Sequence, residues 1–135
     1  MGALLWPIEF TPVDLNLNAR AFSAGINSNG FGCEAYNQLT LEVFIDYTAA
    51  TDLTFYIESS NDKGTTWNRF RVGDLDPSTG VETMRERQFN IPVSAADTRA
   101  TINIPINHTM LRLASVDGTA ATDDTVTVLA RLGCV

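Results

Sequence analysis

The stretch from Gln38 to Tyr47, QLTLEVFIDY, decides the fold class. Taken two residues at a time, Leu39, Leu41, Val43, Ile45 and Tyr47 fall on one side, and Thr40, Glu42 and Asp46 on the other. A period of two belongs to a pleated strand with one face against a core. Phe44 interrupts the polar side, so that side is expected to be partly covered as well. Asp52–Ser59, DLTFYIES, repeats the alternation through Leu53, Phe55 and Ile57. With only TAAT between them, the two segments are expected to pair as an antiparallel hairpin.

The same period recurs on both sides of this pair. PVDLNLNARAF precedes it, and TWNRFRV, VETMRERQFNI, RATINIPI, TMLRLASV and DTVTVLARL follow, each bounded by Gly, Pro, Asp or Asn. VSAADTRA follows Pro92 and is too short for an amphipathic helix, so it is read as a loop. About eight strands without helical crossovers predict an all-β, antiparallel β-sandwich of jelly-roll-like type. The 135 residues leave room for one domain, expected over residues 13–135, with no internal repeat.

Two segments stand outside this pattern. AGINSNGFGCEAYN, residues 24–37, is rich in Gly and Asn and reads as an irregular loop. Residues 1–12 form an apolar arm in which Leu4, Leu5, Trp6, Ile8 and Phe10 are too greasy for a tail left in water. Pro7 and Pro12 keep the arm from being a central strand. It is expected either to fold back along its own sandwich or to lie on another subunit.

Charge and chemistry narrow the function classes. The net charge of −7 opposes binding to phosphate backbones, so no nucleic-acid partner is expected. The opening MGALLWPIEF has neither a cationic leader nor a long apolar run, so no membrane partner is expected. Eight of the nine basic residues are Arg, a residue favoured at protein interfaces. Cys33 and Cys134 lack zinc-ligand spacing and are expected to remain free thiols, and no metal or cofactor is implied. His108 is the sole histidine, and no serine stands in a nucleophile elbow, so the chain is read as not an enzyme. Glu42, Glu58, Glu82 and Glu86 read as an ordinary solvent face, and the acidic loops DLDPSTG and DGTAATDD as turns. TMRERQF, polar on both faces, reads as an edge strand guarded by charge or paired with a partner.

One turn carries a motif. Ser60, Asp62, Gly64, Thr66 and Trp67 fit S-x-D-x-G-x-T-W, which resembles the Asp-box of sialidases and related propellers. Those folds repeat the box across several blades, whereas this chain has one copy and too few residues for such a ring. The stretch is therefore read as a hairpin device: Asp62 accepts backbone N–H groups, Gly64 takes positive φ, and Trp67 caps the core beside it.

LTLEVFIDYTAATDLTFYIESSNDKGTTW, residues 39–67, also resembles in style the hairpins of small tailed-phage virion proteins. That resemblance implies a capsid cement or decoration protein at capsomer junctions, made in the host cytoplasm and residing in the virion. Its partners would be the major capsid protein or another virion protein, and it would form a dimer or trimer. The arm of Leu4, Leu5, Trp6, Ile8 and Phe10 would then bind a neighbouring subunit. A carbohydrate-binding or tail receptor-binding β-sandwich is the alternative.

Overall fold

The structure, a computed structural model, describes residues 11–134. The arm residues Leu4, Leu5, Trp6, Ile8 and Phe10 lie outside the described residues. Twelve strands follow in chain order: β1 Thr11–Val13, β2 Arg20–Ala21, β3 Phe31–Gly32, β4 Gln38–Asp46, β5 Asp52–Ser60 and β6 Asn68–Arg69. Then come β7 Arg71–Leu75, β8 Glu82–Glu86, β9 Gln88–Pro92, β10 Thr98–Pro105, β11 Met110–Asp117 and β12 Thr125–Gly133. There is no helix among the described residues.

The strands form an antiparallel β-sandwich. One sheet runs β1-β12-β4-β10, with β2 also on β12; the other runs β3-β11-β5-β6, with β9 also on β5. The first sheet is pinned by full-length pairing of β4 with β12 (Val128↔Val43) and with β10 (Ile102↔Leu41). Alternation does what the sequence demands: Leu39, Leu41, Val43 and Ile45 of β4 and Leu53, Phe55 and Ile57 of β5 are buried in one shared core. Phe44, on the outward face, is half-covered by Arg99, whose guanidinium lies 4.5 Å from its ring centroid.

β4 and β5 are not a hairpin, contrary to the reading of their sequence. They belong to opposite sheets and meet across the core. TAAT offers neither Gly nor Asn for the positive φ angles of a tight in-plane turn. Its first three amides are claimed instead by Asp124, which arrives from the far end of the chain. Thr48 N–H donates to Oδ2 at 2.7 Å, Ala50 N–H to Oδ2 at 3.0 Å, and Ala49 N–H is shared between both oxygens. Thr122 N–H adds a fourth amide. Asp124 is fully buried, and one carboxylate thus satisfies a corner whose N–H groups have no strand to pair with.

Three further segments differ from expectation: PVDLNLNARAF forms only the short β1 and β2, with residues 14–19 outside any strand, and two others split. TWNRFRV splits at Phe70 into β6 and β7, and VETMRERQFNI splits at Arg87 into β8 and β9. β6 and β9 run in the same direction along one edge of β5, pairing at Glu58↔Arg69 and Tyr56↔Gln88. Between them the chain leaves as the β7–β8 ribbon and returns where Arg87 N–H meets Phe70 O at 2.8 Å. The loop of residues 24–37 is tied to β11 by the Ile26↔Val116 bridge and by β3. Cys33 is buried and Cys134 exposed; both are free thiols, and burial pushes the Cys33 thiol up to about 11.

Candidate interaction surface

The motif-bearing turn joins β5 to β6 through an internal network. Ser60 Oγ donates to Asp62 Oδ1 at 2.7 Å and accepts Gly64 N–H at 2.9 Å. Asp62 Oδ1 also accepts Thr66 N–H at 2.7 Å, while Trp67 Nε1–H donates to Gly64 O at 3.1 Å. The chain reverses through left-handed Lys63 (φ 60) and Gly64 (φ 90). These donors, the Thr66 amide and the Ser60 hydroxyl first, hold the Asp62 carboxyl down at about 2. The Ser60 hydroxyl, the Asp62 carboxylate and the Trp67 indole N–H are all engaged within the turn, while Ser60 O accepts Thr109 Oγ1–H at 2.9 Å from the start of β11. Trp67 does not join the core: its ring lies against Gly30 and Gly64, and Arg112 stacks over it at 4.4 Å.

The outer face of β5 continues this covering. Glu58, read as a solvent-facing charge, is only 8% exposed. Its carboxylate is held between Arg112 at 2.7 Å and Arg69 at 3.3 Å. Arg69 also reaches Glu86 at 3.0 Å and Ser115 Oγ at 3.1 Å, and lies 3.8 Å from the Tyr56 ring centroid. Ser115 sits in a bulge of β11 with φ 50, its N–H donated to Asn27 Oδ1. A bulge re-aims side chains, and here it turns a hydroxyl toward the guanidinium. The result is a closed ladder of charges that ties the root of the ribbon, through Glu86, to the sandwich.

The ribbon itself is exposed along its length. β8 has no buried position, and β7 only a half-buried Val72. Of the four large apolar side chains exposed among the described residues, Leu75, Val81 and Met84 lie on the ribbon. The fourth, Leu129, faces outward from β12. Arg85 pairs with Asp74 across the ribbon, and Asp76 accepts Ser78 at its tip. In the first sheet, Thr11 and Pro12, the last two residues of the arm segment, pair with Leu132 and Arg131 of β12.

His108 stacks on Phe70 at 4.7 Å, and burial lowers its pKa. Among the described residues no three His, Cys, Asp or Glu side chains cluster as metal ligands. The sequence singled out the turn, but the Glu58 ladder and the Asp124 corner lack any local signal, because their partners come from distant strands. The chain matches no protein-family model and no curated protein.

Proposed function

We propose that this chain is a structural virion protein, a capsid cement or decoration protein that stabilises a shell by binding neighbouring capsid subunits. The β7–β8 ribbon carries the reading. Two strands alone are marginally stable in water, and this pair holds Leu75, Val81 and Met84 out to solvent. Such a ribbon gains stability when a partner covers it. Strand order supports the jelly-roll-like reading: β1/β2-β12-β4-β10 lies in one sheet and β3-β11-β5-β9 in the other, and the chain crosses repeatedly between them.

The arm supplies a second contact. Burying Leu4, Leu5, Trp6, Ile8 and Phe10 on a neighbouring subunit contributes about 1.5–3 kcal/mol per side chain before ordering costs are subtracted. The partner is the major capsid protein or another virion protein, and the chain itself forms a dimer or trimer. The carbohydrate-binding alternative draws little from Tyr56 and Trp67, since each carries a guanidinium on a ring face.

Co-sedimentation with purified particles tests the proposal. The intact chain should travel with the shell, and variants lacking residues 1–10 or bearing polar substitutions at Leu75, Val81 and Met84 should stay folded but remain in the supernatant. A truncated chain that unfolds assigns the arm to its own core, and an intact chain that never co-sediments removes the virion reading.

A further inference from the structure

Where the ribbon leaves the sandwich, a cleft of about 390 Å³ opens. Ser59, Phe70, Arg71, Arg87, Pro105 and His108 line it. Arg69 also borders this cleft, but its donors are already taken by Glu58, Glu86 and Ser115. Arg71 and Arg87 differ: neither guanidinium has a carboxylate at ion-pair distance among the described residues. Glu86 stands opposite Arg71 in register, yet its carboxylate is bound to Arg69.

The cleft is a set of donors on a fixed frame. The Arg87 guanidinium lies 4.5 Å from the Phe89 ring centroid, and its backbone N–H is bonded to Phe70 O. Stacking occupies the flat face of a guanidinium and leaves its in-plane N–H groups free for a bidentate acceptor. Phe70 is held by its N–H to Ile57 O at 2.9 Å and by its stack on His108. His108 Nδ1 accepts Asn107 N–H at 3.1 Å, so the neutral ring carries its proton on Nε2 and can only donate there. Ser59 Oγ adds a hydroxyl with no partner among the described residues.

We infer that this cleft binds a small oxyanion, a carboxylate, sulfate or phosphate group, between Arg71 and Arg87 with His108 Nε2–H and Ser59 Oγ–H as further donors. In a chain of net charge −7, two unpaired arginines flanking an apolar wall of Phe70 and Pro105 select an anion locally against the field of the whole molecule. The site goes beyond the proposed shell contact and stands whether or not the ribbon binds a capsid.

Titration of the full chain with sodium acetate, sulfate and phosphate, against chloride at constant ionic strength, tests it. Arginine Nε–H and His108 ring resonances provide the readout. Saturable shifts confined to Arg71, Arg87 and His108 are expected, with a dissociation constant on the order of 1–10 mM. Saturation by acetate alone identifies a carboxylate ligand, and saturation by sulfate and phosphate alone a tetrahedral one. The R71Q/R87Q double variant should weaken binding about tenfold or more. R99Q removes another arginine that has no ion pair among the described residues, stacked on Phe44 of β4, and should leave binding unchanged. Shifts that rise linearly without saturating, or an equal loss in R99Q and R71Q/R87Q, would overturn the inference. Backbone amide spectra confirm that each variant is folded.

Discussion

The corner between β4 and β5 and the ribbon between β6 and β9 are both short departures from the sheets, and they are built in opposite ways. At the corner the chain dives across the core, and a buried carboxylate takes up its free amides. At the ribbon the chain turns away from the core, pairs only with itself and keeps its apolar residues in water. The first is stabilised by burial and by hydrogen bonds with no competing solvent. The second is held by cross-strand pairing and by one charged ladder at its root. Stability of the isolated chain therefore resides in the corner and the core, whereas the ribbon is free to answer to something outside the molecule.

Substitutions that hollow the core should have the largest effect. Leu41→Ala and Ile57→Ala each remove a fully buried side chain and should cost about 2–5 kcal/mol in denaturant unfolding. If either falls near zero, the two strands do not face one another across a packed core. Next comes Asp124→Ala, which leaves the amides of Thr48, Ala49 and Ala50 without their acceptor; a loss of about 2–4 kcal/mol is expected in the same measurement.

Acid sharpens the same contrast. Burial alone would raise the Asp124 carboxyl, but the amides of Thr48, Ala50, Thr122 and Ala49 outweigh it and bring it down to about 2. A carboxyl depressed on folding stabilises above its unfolded value near 4 and loses that contribution as pH falls toward the folded value. The wild type should lose stability between about pH 4 and pH 2, and Asp124→Ala should show a visibly shallower loss over that interval in pH-dependent melting. Asp62, held at about 2 in the exposed turn, shares the direction and accounts for a residual slope.

Smaller again is Gly64→Ala, which forces a side chain to φ 90 beside Trp67 and should cost about 1 kcal/mol. Least of all, polar substitutions at Leu75, Val81 or Met84 should shift stability by no more than about 0.5 kcal/mol. A large loss at these three positions would mean that the ribbon is part of the folding unit, and the contrast with the corner would dissolve.

Periodicity made the strands legible, but not their partners. The alternation of Leu39 through Ile45 states which side chains face inward; it carries no information on whether the next strand lies beside β4 or across from it. That choice is made at the corner by Asp124, more than seventy residues away, in a segment that reads as ordinary turn chemistry. The ribbon stayed hidden for a related reason. VETMRERQFNI contains no Gly or Pro at Arg87, so nothing local marks the point where β8 ends and β9 rejoins β5. The motif turn was readable because its hydrogen bonds close within four residues. The cleft was not, since its donors at Ser59, Arg71, Arg87 and His108 come together only through the pairing of several elements.

The junction at Phe70 and Arg87 also bears on how this protein can change. The chain departs at Phe70 and comes back at Arg87 beside one 2.8 Å backbone hydrogen bond, so everything from Arg71 to Glu86 is carried by adjoining anchor points, with Glu86 bound to Arg69 next to them. A loop of another length or chemistry that keeps the Glu86–Arg69 pair can be spliced there without asking the flanking strands to move. The fold thus separates a packed chassis from a protruding head whose outline can change while the interior is left as it stands.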